Sequence, residues 1–364
     1  MIAPRATAAP LTAMLVVALG AAPRASALLP AECQRNARSI ENSHEQRDHD
    51  LIRWRARWSG DNCRVDLVAT GEIRFNSDFT DIASITNDGT LDLLDVDGNT
   101  TRRLTMRPDR SGRLTRLYYV NDREQPWDDA AKRWLAALLI DLDRMTGIGI
   151  DYRFPTLFAS GGPGAVLDES EKMQSDYARG LYLRRLLERQ KLSAAEYQRV
   201  LDITARLTRS DYETSRVLVA VADRASFESE GIRTAYFAAL AHMSSDFERS
   251  RSLQAILTKS SVSRDMAHRA VRSAGELRSD FERSRVLLAA IESRALSGDD
   301  LIPVIETAAR SHSDFEKSRV LLAVAGKGTL SAEARKAYLR ASDTIRSDFE
   351  NRRVLSALVK QESR

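Results

Sequence analysis

The chain is poor in the side chains on which most metal and acid–base chemistry depends. Its 364 residues include five histidines and two cysteines. His44 and His49 bracket HEQRDH, but the histidines of a zinc-protease helix stand four apart, on one face. Five apart, they are about 140° round a helix, and no metal site is expected. His242, His268 and His312 are isolated and read as surface or capping residues. There is no G-x-S-x-G elbow, dinucleotide fingerprint or cysteine–histidine pairing. DVDGN from Asp95 lacks the acid that closes a calcium loop, so a hairpin turn is expected. No catalytic set, metal or cofactor is indicated by these motifs.

Excess charge is also lacking. There are 55 basic and 51 acidic residues, and 47 of the basic ones are arginine. The first 27 residues hold Arg5, Arg24 and no acid, so the remainder balances at 53 against 51. Such a chain carries no electrostatic footprint for nucleic acid.

One long apolar run is present. LTAMLVVALGAA, from Leu11 to Ala22, follows Arg5 and precedes Ala25-Ser26-Ala27. Basic start, apolar centre and small-x-small end match a cleavable export signal over residues 1–27, too short for a comfortable membrane span. Glu32 directly before Cys33 does not fit a lipoprotein site. The mature chain is expected to be exported, periplasmic or extracellular in a bacterium, with no membrane span. In an oxidising compartment Cys33 and Cys63 are expected to form a disulfide, since zinc would need two further ligands.

After a polar arm over 28–50, period-two alternation marks a β-rich domain over 51–147. Ile52, Trp54, Ala56 and Trp58 alternate with polar partners, as do Val65, Leu67 and Ala69. NDGT at Asn87, DVDGN at Asp95 and RPDRSG at Arg107 separate the later runs. Six or seven short strands in a small antiparallel sheet or sandwich are expected. Its closing helix is capped by Asp128, stops at Gly147, and shows an apolar face of Trp134, Leu135, Leu138, Leu139 and Leu142. Residues 148–164, ending in SGGPG (Ser160 to Gly164), read as a linker.

From 165 to 364 the chain repeats itself. SDYARGLYL, SDYETSRVL, SDFERSRSL, SDFERSRVL, SDFEKSRVL and SDFENRRVL begin at Ser175, Ser210, Ser245, Ser279, Ser313 and Ser347. A spacing of 34–35 residues marks stacked helix pairs. Second helices are expected from Leu192, Leu296 and Leu330, and Pro303 falls in a first turn, where its missing amide hydrogen matters least. The tryptophan, glycine and proline signposts of tetratricopeptide repeats are absent. The expected fold is therefore α+β, a small antiparallel β domain followed by an α-solenoid.

Within the motif, Ser279 and Glu282 stand as a capping box, with Asp280 favoured by the helix dipole. Phe281 reads as core packing beside Leu288, on a helix apolar enough to be covered on all sides. Asp176, Asp211, Asp246, Asp280 and Asp314 recur, as do Arg216, Arg251, Arg285, Arg319 and Arg353. The first copy has Leu181 where the others have arginine, which suggests a one-way ladder. Each arginine would bond the aspartate of the preceding repeat, Arg285 meeting Asp246. The alternative is an anion-binding groove.

The order GEIRFNSDFTDIASITNDGTLDLLDVDG, YYVNDREQPWDDAAKRWLAALLIDLDRMTGI and SDYE/SDFE repeats resembles a group of uncharacterised exported bacterial proteins. It is also similar to the non-catalytic extracytoplasmic region of some membrane metallopeptidases of the beta-lactam-sensor type. The HExxH helix of those peptidases is absent here. The resemblance implies a sensory or partner-binding module without catalysis. The leading expectation is an exported scaffold that binds a protein or peptide. An exported hydrolase with a site near Ser160 to Gly164, and a structural envelope component, are the alternatives.

Overall fold

The computed structural model describes residues 39–47, 50–60, 62–86, 88–259 and 262–362. The expected signal peptide, most of the polar arm, Cys33 and His49 lie outside them.

Among the described residues eight strands form one antiparallel sheet: β1 Ser39–Arg47, β2 Asp50–Ser59, β3 Cys63–Phe75, β4 Ile82–Ile85, β5 Thr90–Asp97, β6 Thr100–Pro108, β7 Leu114–Val120 and β8 Arg123–Gln125. Their order is β1-β2-β3-β5-β6-β7-β8, with β4 paired to β3 beside the start of β5. Residues 39–47, expected within the polar arm, are thus a strand paired along β2. Only Ile40 in SIENSHEQR is strongly apolar, so this edge strand carries no alternation that would betray it.

Alternation puts Trp54, Ala56, Trp58, Val65, Leu67, Ala69, Leu91, Leu93, Leu104 and Met106 on one buried face. The other face carries arginines and aspartates, with Arg57 and Arg64 both bridging to Asp66. Gly71, at φ +86°, lets two backbones cross: a Cβ there would lie 2.7 Å from the Cα of Gly89. Gly98 and Asn99 make the two-residue hairpin expected in DVDGN.

Helix α1, Asp129–Thr146, covers the buried face with Ala131, Trp134, Leu135, Leu138, Leu139 and Leu142. Asp128 accepts from the Ala130 and Ala131 amides, and Gly147 ends the helix at φ 71°. Trp134 Nε1 donates to buried Asp95 at 2.8 Å, fixing the helix on the sheet.

The stretch expected as a linker is mostly helix. Helix α2, Ile150–Lys172, breaks only at Gly161 and Gly162, the latter at φ 60°, ψ −148°, a conformation open to glycine. Pro163 then starts the second half, where its missing donor costs nothing. Tyr152 and Phe154 anchor the first half, Tyr152 against Phe75 and Phe79 of the β domain.

Thereafter helices alternate. The motif helices are α3 Asp176–Arg189, α5 Asp211–Arg224, α7 Asp246–Leu257, α9 Asp280–Glu292, α11 Asp314–Ala325 and α13 Asp348–Glu362. Between them lie α4 Ala194–Leu207, α6 Glu230–Ala241, α8 Arg264–Ala274, α10 Ile302–Ala309 after a short 3-10 turn, and α12 Ala332–Ser342. Successive motif helices pack side by side, and the intervening helices form a second layer over them. One apolar core runs through the stack. Tyr236 and Tyr338, both buried, tie the layers by donating to the carbonyls of Ser252 and Val354. No helix among the described residues is long and apolar enough to cross a membrane.

Candidate binding face on the motif helices

The motif residues divide into those that build the stack and those left outside it. Each serine hydroxyl accepts the amide three residues on, as a helix cap does. The first five aspartates reach forward. Asp246 Oδ2 accepts the Arg278 amide at 2.8 Å and the Ser279 amide at 2.7 Å, the last two before the next motif helix. Asp176 does the same for Arg209 and Ser210, Asp211 for Ser244 and Ser245, Asp280 for His312 and Ser313, and Asp314 for Arg346 and Ser347. Burial opposes ionisation of Asp280, but the Ser313 and His312 amides, with Arg283, hold its carboxyl below the usual range.

A ladder therefore exists, but backbone amides, not arginines, are its donors. Among the described residues no hydrogen bond or ion pair joins Arg216, Arg251, Arg285, Arg319 or Arg353 to a motif aspartate. They pair instead with the glutamate one turn back: 3.4 Å for Arg216 to Glu213, 3.6 Å for Arg251 to Glu248, 3.0 Å for Arg285 to Glu282, 2.8 Å for Arg319 to Glu316 and 2.9 Å for Arg353 to Glu350. The expected Arg285–Asp246 contact is absent: Asp246 Oδ2 turns to two amides of the next junction, while Arg285 lies on the outward arc beside Glu282.

The same occupancy explains why the capping box is incomplete. A serine amide bonded to the preceding aspartate has no hydrogen left for its own glutamate. Among the described residues α4 keeps the full box, Ser193 N donating to Glu196 at 2.7 Å. The motif glutamates are buried instead, and the last two take a hydroxyl from the previous repeat: Ser284 donates to Glu316, and Ser318 to Glu350. In the degenerate first copy, a Cβ at Gly180 would lie 2.7 Å from Glu213 Oε2. There Arg184 supplies the donor, at 2.6 Å.

A buried cation, unnoticed in the sequence, completes the junction. Arg283 donates to Asp280, to the carbonyl of Leu277 and to Ser311 in the following loop. Arg179 and Lys317 occupy equivalent positions and reach across the junction to the carbonyls of Leu207, at the end of α4, and Thr344.

The aromatic is the largest correction. Tyr177, Tyr212, Phe247, Phe281, Phe315 and Phe349 are 39, 52, 53, 51, 55 and 69% exposed. At 100° per residue, the ring and the arginine four residues later fall on the arc opposite the buried Val286, Leu287, Ala290 and Ile291. Leu288 does share the ring's side, as expected, but that side faces out and Leu288 is only partly buried. The guanidinium carbon lies over the ring at 5.5 Å for Arg216 on Tyr212, 5.7 Å for Arg285 on Phe281, 5.8 Å for Arg319 on Phe315 and 5.5 Å for Arg353 on Phe349. Arg285 Nη2 also reaches Gln254 of the previous repeat at 3.5 Å, joining neighbouring rungs.

The junction of the two parts holds a buried ionic network. Arg153 joins Asp143 at 2.6 Å to Glu169 at 2.7 Å, Arg144 donates to Glu169 at 2.8 Å, and Tyr182 donates to Asp143 at 2.6 Å. Despite burial, hydrogen bonds from Arg144 and Arg153 hold Glu169 at about 2. Its members satisfy one another, so the network locks α1, α2 and α3 together. The Ser160 hydroxyl donates to the carbonyl of Leu157, in its own helix.

The chain matches no family model, and no curated protein or solved structure shows significant similarity to it.

Proposed function

We propose that this is an exported, non-catalytic binding module whose motif-helix face holds an extended polypeptide segment. One observation carries the reading: five aromatic rings, each more than half exposed, recur at one motif position, four of them under a guanidinium. Aromatic and arginine side chains are the groups most enriched where proteins bind one another. A regular row of large rings left in water is a feature of surfaces that bind a partner. Each arginine is held by its glutamate, so little side-chain freedom remains to be lost on binding. Stacked helix pairs present this row as one long surface, suited to a partner without compact shape. Export rests on the leader read in residues 1–27.

Selection from a random peptide display library tests this. The wild-type protein should enrich linear peptides that a variant carrying Phe281→Ser, Phe315→Ser, Arg285→Ser and Arg319→Ser does not retain. Enrichment of the same peptides by both proteins, or of none by either, would refute it.

A further inference from the structure

Given that reading, the geometry of the row specifies its ligand. We infer that the face takes a polyproline-II segment bearing a carboxylate at every third residue. Adjacent motif helices pack side by side, and helices in contact lie about 8–10 Å apart. Each contributes one ring and one guanidinium at the same motif position, so binding elements repeat at about that interval. A polyproline-II chain has three residues per turn and rises about 9.3 Å in that turn. Its every third side chain points the same way and meets one rung. A β-strand does not match. Its side chains alternate, so residues three apart face opposite sides, and same-side residues recur at about 6.8 Å.

The chemistry of a rung agrees with this period. In Arg319 and Arg353 the bonds to glutamate use Nη1. Nε and Nη2 are left as a planar pair of donors, the arrangement that grips a carboxylate. Beside it the ring offers an apolar plate, the surface against which proline-rich segments dock. Five complete rungs, from Tyr212 with Arg216 to Phe349 with Arg353, would hold about 13 residues of such a segment. The first copy has Tyr177 but Leu181 in place of arginine, so the row of charges ends at Arg216.

Fluorescence anisotropy on the full chain tests the match with two labelled peptides of one composition. In one, five Glu-Pro-Pro triplets place an acid at every third residue. In the other, the same glutamates form a single block. The triplet peptide should bind at least about tenfold more tightly. Arg285→Gln with Arg319→Gln should remove that preference, with circular dichroism at the assay temperature showing the helical stack retained. Equal affinity for both peptides, lost on ring substitution, would overturn the period match and leave the binding face standing. Absence of binding by either peptide would overturn the inference, and library peptides lost on ring substitution would still support the face. A preference that survives both arginine changes would also overturn the inference.

Discussion

The guanidinium of Arg285 lies 5.7 Å above the half-exposed ring of Phe281, one turn away on the same helix, and is itself 33% exposed. One residue before that ring, Asp280 faces the next repeat and takes two of its amides. Neighbours in sequence thus serve different ends, and substitution should separate them.

Asp280→Ala leaves the His312 and Ser313 amides without their acceptor and Arg283 without its carboxylate. The expected cost is about 2 kcal/mol, because orphaned donors at a packed junction lose their full desolvation energy. Arg285→Lys, which keeps a cation beside the buried Glu282 carboxylate, should stay within about 0.5 kcal/mol of wild type. Urea unfolding followed by circular dichroism distinguishes them.

Acid should weaken the stack through the same aspartates. Asp280 and Asp314 have folded pKa values below the usual carboxylate range: burial opposes the shift, and the next repeat's amides impose it. Their contribution is complete above the unfolded value of about 3.9 and is lost as pH falls through the folded value. Asp95 has the opposite sign, since burial pushes its carboxyl up even though Trp134 donates to it. The melting temperature should therefore fall below about pH 4, and Asp280→Asn should fall less steeply than wild type. An unchanged slope in that variant would assign the acid sensitivity elsewhere.

Much of this arrangement was legible in the sequence, for physical reasons. The spacing of the motif serines defined the helix pairs, and alternation through Trp54, Ala56 and Trp58 defined the sheet. The aspartate was correctly read as a junction residue, but sequence named its partner wrongly. Side chains advertise themselves as donors, whereas backbone amides of Ser279 or Ser313 are invisible in a string of letters. Phe281 was misplaced because burial was inferred from residue type. Counting 100° steps from Val286, Leu287, Ala290 and Ile291 puts it on the opposite arc. The strand at 39–47 left no signal at all, being polar throughout except for Ile40.

The bridge proposed between Cys33 and Cys63 closes a loop of 31 residues, counted inclusively. It should stabilise the β domain by roughly 3–4 kcal/mol in the chain-entropy model. Alkylation of the unfolded chain should add two labels after reduction and none before. Labelling without reductant would exclude the bridge.

The division of labour within the motif is tested most directly by one pair of measurements on one protein. Phe281→Ala and Phe315→Ala, combined, should weaken binding of a library-selected peptide by at least about tenfold while the melting temperature stays at the wild-type value. A melting temperature lowered as far as by Asp280→Ala, with peptide affinity retained, would show that the rings hold the stack together and would contradict the account.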